Sequence, residues 1–409
     1  MRKEGRCVRL FKKPEAKNAL LIGVLCTFSY VGIYLMRNML GAATPSMVKT
    51  GAATKEYLAV MASLYSIVYA AGNLVNGFIG ERVKAKYLSS GGLLLGGLGM
   101  LALPFFIPSV GAYAVYGVVA FCLSSVYNPL IKLIAENTKE PYTERCSIGF
   151  TVSSFLGAPL AGLLAAFLIW HWIFRTTGLI LATMGTACFL SFLWLERRGI
   201  IRDGRFQSKK GGKLKIRALL EHNFIRFLIV AIVTGIVRTS VVHWVPTYLV
   251  ERLGFAEKTA GLIYSGMTLA FSGATLLSII IYEAVFRSDP RRTYFSFFCV
   301  AAAGFFAAAI IRQPVVNIVF LTLALLSSGC GAGLLYCQYC PTLKATGMVS
   351  AATGFMTGIS YVGSSLATSL FGFASNAVGW QPLVFVWMGL MVIGGVVMLP
   401  VFDYKKKEN

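Results

Sequence analysis

The sequence predicts an all-α integral membrane protein in which twelve transmembrane helices form two pseudo-symmetric six-helix bundles. Three observations carry that prediction. Of the 409 residues 56% are hydrophobic and only 13% charged, about half the charged share of a soluble domain, and the mean hydropathy is +0.70. Stretches 87–131, 313–343 and 345–402 hold no charged residue at all, and each is long enough for one or two spans of about 20 residues. Features of the first half also recur at a nearly constant distance in the second. A soluble enzyme is excluded, because short loops and one longer connector leave no room for a sizeable soluble domain. The net charge of +22 does not indicate a nucleic-acid partner, since the basic residues lie between the apolar runs and not on one face of a domain.

The first span, 19–45, contains Arg37 and Pro45 and follows seven basic residues in 1–18. No cleavage-site pattern follows it, so it is expected to be retained and not removed as a signal peptide. Spans two and three, 57–80 and 87–107, flank a short charged turn that begins Glu81-Arg82-Val83-Lys84. Spans four, five and six cover 110–134, 147–169 and 173–195. Segment 196–223 then carries nine lysines and arginines and reads as a cytoplasmic linker in contact with anionic lipid. The seventh span, 224–250, contains Arg238 and Pro246; the others are 258–282, 293–311, 314–338, 347–373 and 380–402. If both termini are cytoplasmic, inner segments hold 29 basic residues and outer connections six, the bias expected of that orientation. The domain reading is therefore a bundle in 1–195, a linker in 196–223 and a bundle in 224–409. Nine cysteines are present, with Cys337 and Cys340 in a CxxC spacing; no second pair or histidine stands nearby, and neither metal nor cofactor is expected.

The duplication is specific. Arg37 and Arg238 are each followed eight positions later by proline, at Pro45 and Pro246, an offset of 201 residues. Glu81 and Glu283 sit at matching inner ends, 202 apart, and Trp172 and Trp380 are 208 apart. Gly157-Ala158-Pro159-Leu160-Ala161 corresponds to Gly363-Ser364-Ser365-Leu366-Ala367. Two parallel six-helix repeats with a central substrate site are a known transporter plan. The segment from Asn76 to Lys86, with Gly80, Glu81 and Arg82 at its centre, resembles the loop signature of the major facilitator superfamily. There the acid holds arginine at neighbouring helix ends in one gating state, which makes Glu81, Arg82 and Glu283 candidate gating residues.

An arginine in mid-membrane costs about 2.5–3.5 kcal/mol on insertion scales and faces a cavity or a partner. Arg238 has charge-free flanks of 11 and 12 residues, and Arg37 occupies the matching place. No aspartate or glutamate lies in the middle of any span, so the expected counter-ion is a substrate anion, which guanidinium grips bidentately. Tyr34 and Tyr30, three and seven residues before Arg37, share its helical face. Asn38, Tyr69, Asn73, Asn76, Tyr127, Asn128, His243, Tyr264, Tyr336 and Tyr361 are further polar groups within spans. His243 is the only histidine inside a span, and arginine does not release its proton; exchange of anions is thus favoured over proton symport.

The run from Tyr30 through Arg37 to Pro45 resembles the first helix of the organophosphate:phosphate antiporters, which include glycerol-3-phosphate and hexose-6-phosphate transporters. Val237 to Leu249 is similar to their seventh helix and Ala352 to Ser364 to their eleventh. The resemblance implies that Arg37 and Arg238 hold a phosphoryl group, with Tyr30, Tyr34, Tyr69 and Tyr361 at pocket positions. Two positions depart from the pattern: Asn73 stands where the glycerol-phosphate type has lysine, and Leu156 where it has histidine. The expectation is a monomeric alternating-access carrier, not an enzyme, in a plasma membrane, as in the bacterial cytoplasmic membrane. Its partners are a small organic anion, phosphorylated or carboxylated, inorganic phosphate as counter-substrate, and membrane lipid. Rival readings are a proton-coupled carboxylate symporter and a membrane receptor that senses an anion without carrying it.

Overall fold

The computed structural model describes residues 14–139, 142–201, 223–286, 289–343 and 349–399. Each of the twelve predicted spans is largely helical over its described residues. They are α1 (Pro14–Lys49), α2 (Lys55–Arg82), α3 (Ala85–Ala102), α4 (Val110–Ser124) with α5 (Tyr127–Asn137), α6 (Tyr142–Phe167) and α7 (Trp170–Arg197), then α8 (Phe224–Glu251), α9 (Glu257–Ser272) with α10 (Ala274–Ala284), α11 (Pro290–Ile310), α12 (Pro314–Leu334), α13 (Val349–Val378) and α14 (Trp380–Val397). Among the described residues nine helical segments are long and apolar enough to cross a membrane, or ten when α9 and α10 count as one bent span. α6 and α13 complete the twelve. The apolar stretch of α6 that lies in described residues, Val152–Phe167, is only a short one.

Helix ends follow local chemistry. Thr54 caps α2 by accepting from the Tyr57 amide, Asp289 caps α11 by accepting from the amides of Arg291 and Arg292, and Gln313 caps α12 through the Val316 amide. Each satisfies a donor that the first helical turn leaves without a partner. Pro290 and Pro314 open α11 and α12, where a missing amide hydrogen does no harm. The turns after α1 and α8 carry Gly51 and Gly254 at φ 68° and 72°, a left-handed conformation that glycine alone adopts without strain. Those two glycines are a further matched pair of the duplication. α1 runs past its predicted ends because helical hydrogen bonding does not stop where apolarity does.

Two predicted spans are not continuous. The fourth breaks at Ser125–Val126 between α4 and α5; the eighth bends by 41° at Gly273 between α9 and α10. The tenth changes hydrogen-bond register in a π-helical turn, Leu335–Tyr339.

The described residues fall into two compact units, one drawn from Met1–Tyr57, Leu64–Lys209 and Glu257–Leu269, the other from Leu58–Ser63, Lys210–Ala256 and Ala270–Asn409. In the first, α1 packs along α6 and α3 along α7. Its α9 is fastened to α6 at backbone contact: a Cβ on Gly162 would lie 2.7 Å from the Gly261 carbonyl oxygen, and one on Gly261 2.8 Å from the Ala166 nitrogen. Small residues at such crossings let membrane helices gain dispersion contact where lipid offers no hydrophobic drive. Ser265 Oγ donates to the Pro159 carbonyl (2.9 Å), and Lys49 pairs with Glu257 at 2.9 Å.

In the second unit α8 packs on α13, and α11 on α12 and α14. Ser63 Oγ donates to the Ser365 carbonyl (2.6 Å). Trp387 donates to Ser240 Oγ (2.9 Å) and Trp244 to the Thr368 carbonyl (3.2 Å). Asn317, fully buried, donates to the carbonyls of Ala308 and Ile311, both at 2.7 Å, and accepts from the Tyr248 hydroxyl (3.0 Å). It thereby satisfies carbonyls at the end of α11 that the helix cannot. Asn317→Ala leaves buried groups unpaired, at about 1–3 kcal/mol for each. A lowered thermal inactivation midpoint of the purified protein is the expected result; an unchanged midpoint would mean that the end of α11 finds other donors.

Candidate functional site

Arg37 sits in the middle of α1, half-buried, and aromatic rings from two helices surround it. Its Cζ lies 5.0 Å from the Tyr69 ring centroid and 6.0 Å from that of Tyr34, within the range in which a guanidinium is drawn to a π face. Tyr30 meets Tyr34 edge to face at 5.4 Å and Tyr127 at the same distance. Tyr65 stacks on Tyr69 at 5.8 Å and meets Tyr116 at 5.2 Å. The predicted Tyr30, Tyr34 and Tyr69 are therefore brought together with Arg37 within the first unit. Helical periodicity aligns Tyr30 and Tyr34 on one face of α1; α2 supplies Tyr69.

Asn73 lies one turn beyond Tyr69 and donates to the Tyr69 carbonyl at 3.0 Å, while Asn128 donates to the Asn73 carbonyl at 2.9 Å. The amide of Asn73 is thus turned back along its own helix, an arrangement that a lysine ammonium in its place would not reproduce. Asn38, the residue after Arg37, donates to the Tyr34 carbonyl at 2.7 Å and accepts from the Tyr264 hydroxyl at 3.2 Å.

In the second unit Arg238 is half-buried near the centre of α8 and makes no hydrogen bond or ion pair with the described residues. Tyr336, from the π-helical turn, lies within the electrostatic reach of both Arg238 and Tyr361, and its hydroxyl accepts from Thr357 at 3.5 Å. Tyr361 is half-buried on α13. His243 stands edge to face with Trp244 at 4.8 Å, and its Nε2 is buried with no hydrogen-bond partner among the described residues. It lies five positions after Arg238, on a different face of α8.

Of the proposed gating residues, Arg82 and Glu283 are exposed at the ends of α2 and α10 and form no ion pair among the described residues; the Glu81 side chain lies outside them. Lys86, at the start of α3, is buried and pairs with Glu196; Lys84 reaches the same carboxylate at 3.5 Å. Glu196 had one legible signal, as an acid at the head of a basic connector. Most of that connector, 202–222, and both termini lie outside the described residues. Among those described, no group of three or more histidine, cysteine, aspartate or glutamate side chains is placed to hold a metal.

The sequence holds a further repeat, missed above. Tyr127-Asn128-Pro129-Leu130-Ile131-Lys132 and Tyr339-Cys340-Pro341-Thr342-Leu343-Lys344 share the pattern Tyr-x-Pro-x-x-Lys at an offset of 212 residues. The first copy follows the break between α4 and α5, and the second follows the π-helical turn. Irregular helix at membrane depth is tolerated where it is buried in protein or lines a cavity, and π-helical turns concentrate at functional sites. Both copies thus mark equivalent interruptions.

Known proteins agree with this architecture. Over 401 residues the chain is 24% identical to the Glycerol-3-phosphate transporter of Bacillus subtilis (strain 168), covering 88% of this chain and 87% of that one. The fold is similar to that of a bacterial homologue of the human lysosomal transporter Spinster, with a TM-score of 0.69, 14% identity and 95% of each chain covered. It is also similar to the D-xylose-proton symporter, with a TM-score of 0.71, 11% identity, and 95% and 99% of the two chains covered. The Major Facilitator Superfamily model matches residues 26–346. With its family matched over most of the chain, its helices apolar and its sequence halves related, the protein belongs to the Major Facilitator Superfamily.

Proposed function

We propose that this protein is an alternating-access carrier that exchanges an organic anion, phosphorylated or carboxylated, for inorganic phosphate. The observation that carries the reading is the pair of mid-membrane arginines at matching positions of a duplicated chain, Arg37 set among tyrosines and Arg238 without a carboxylate partner in the described residues. A spanning segment keeps such cations where they meet a ligand or a partner. The 24% identity to a glycerol-3-phosphate transporter supports phosphate esters as the first anions to test. In this reading the bundles 1–195 and 224–409 move about the basic linker 196–223, with both termini cytoplasmic and the carrier acting as a monomer in a bacterial cytoplasmic membrane. Anion binding at both arginines favours the occluded state, and a ligand drives the cycle only through its differential affinity for the conformations.

Asn73 in place of a lysine removes one positive charge from the neighbourhood of Arg37 and Tyr69. The expected behaviour is electroneutral exchange of like-charged anions, little driven by a pH gradient alone, and a higher affinity for phosphate in Asn73→Lys. Counterflow in proteoliposomes loaded with phosphate, run against phosphate esters, hexuronates and dicarboxylates with wild type beside the variant, tests both. Uphill uptake driven by protons into liposomes holding no exchangeable anion would refute the exchange mechanism. One feature favours that second reading, proton-coupled carboxylate symport: the buried His243 Nε2 without a partner in the described residues is the group to replace first in that event.

A further inference from the structure

Asn38 joins the arginine on α1 to a helix distant in sequence. Tyr264 on α9 is fully buried, and its hydroxyl donates to Asn38 Oδ1 at 3.2 Å. The other end of the same amide donates to the Tyr34 carbonyl at 2.7 Å, and the Tyr34 ring is one of the two against which the Arg37 guanidinium rests. An amide held at both ends cannot rotate, and Asn38 is the chain neighbour of Arg37. The hydroxyl on α9 therefore fixes the turn of α1 from which the guanidinium projects.

The duplication gives this bond no counterpart. Offsets of 201 and 202 residues place Thr239 opposite Asn38 and Ala62 opposite Tyr264, and an alanine side chain has no polar atom. The remaining contacts of α9 are of another kind. Ser265 meets a carbonyl of α6, Gly261 meets backbone of α6, and Glu257 meets Lys49 at the end of α1; these three fasten the helix and lie apart from the Asn38 amide. The 41° bend at Gly273 separates α9 from α10, so the helix that carries Tyr264 can shift without the next one following rigidly.

We propose that Tyr264 is a positioning residue for the anion: acting through Asn38, it holds Arg37 and Tyr34 in the geometry that receives the ligand and makes α9 respond to occupancy of Arg37. This rests on the reading of Arg37 as an anion ligand.

The test uses the full-length protein, in nanodiscs for amide hydrogen exchange of α9 and in proteoliposomes for transport, with inorganic phosphate and glycerol-3-phosphate as probes. In wild type, phosphate is expected to slow exchange over 257–272. Tyr264→Phe, which removes the donor and keeps the ring, should abolish that protection and raise KM by about 3- to 10-fold, the worth of one such hydrogen bond, with kcat within about twofold. Asn38→Ala combined with Tyr264→Phe should be no worse than Asn38→Ala alone, because both act through one bond. Ser265→Ala loosens the same helix and should raise its exchange without moving KM. Tyr264→Phe with wild-type KM and wild-type protection would overturn the proposal, as would an equal rise in KM for Ser265→Ala. A wild type in which neither anion changes α9 exchange or is transported would overturn the anion reading itself, a result separable from the first because it appears before any substitution.

Discussion

Arg37→Lys and Arg238→Lys should each lower kcat/KM for anion exchange by roughly 10- to 100-fold, the loss expected when a charge-assisted bidentate pair becomes a single point contact. Lysine keeps the charge, so long-range attraction of the anion survives; what disappears is the planar fork that fits a phosphoryl or carboxylate group. The loss has different side effects at the two sites. Arg37 rests against Tyr34 and Tyr69, and a lysine ammonium loses part of that ring contact, so its variant should also show a small decrease in stability. Arg238 has no hydrogen bond among the described residues, and its variant should lose transport with stability unchanged. Radiolabelled phosphate exchange in proteoliposomes, with inserted protein quantified, is the measurement. Uptake near wild type in either variant would remove that arginine from the binding role.

Gly261→Val should be strongly damaging. Its Cβ would stand 2.8 Å from both the Ala166 nitrogen and the Gly162 carbonyl oxygen, and backbone atoms have no rotamer by which to retreat. Overpacking of this sort costs about 1–3 kcal/mol, occasionally more, and α9 must leave α6, breaking the Ser265 bond to Pro159 as it goes. A lower melting midpoint and loss of exchange are expected. Gly266→Val provides the comparison on the same helix, since nothing lies within 4 Å of a Cβ there; equal damage at both positions would trace the effect to helix propensity and not to the crossing.

The spans were legible because lipid imposes a composition on any helix that crosses it, and each of the twelve predicted segments is largely helical over its described residues. The duplication was legible for a related reason: Arg37, Pro45, Glu81 and their partners are rare residue types in an apolar background, so their spacing stands out. The breaks at Val126 and Gly273 were not. Apolarity reports that a segment lies in the membrane and says nothing of which carbonyl each amide reaches, and Gly273 is one of 42 glycines. The grouping of Tyr30 and Tyr34 with Arg37 followed from helical periodicity, whereas the place of Tyr69 beside them came from the family resemblance and depends on how α2 lies against α1. Asn38 and Tyr264 were visible as polar residues within spans, but 226 residues separate them and no periodicity links one helix to another. The Lys86 pairing with Glu196 was hidden for the same reason, since Lys86 lies in the first turn of α3 and Glu196 in the last turn of α7.

The serine contacts of α2 and α9 bear on how far this chain could diverge from its relatives. Ser63 donates to the carbonyl of Ser365 and Ser265 to the carbonyl of Pro159, and the offsets of 202 and 206 residues put the two bonds at matching positions of the duplicated sequence. The acceptors carry unlike side chains, yet the bond is the same, because a main-chain carbonyl is present whatever residue bears it. Half of each contact is therefore beyond the reach of mutation. The bond needs a hydroxyl on one helix only, and the facing position carries proline in one copy and serine in the other. A helix crossing secured in this way keeps its geometry while the residue that bears the carbonyl changes.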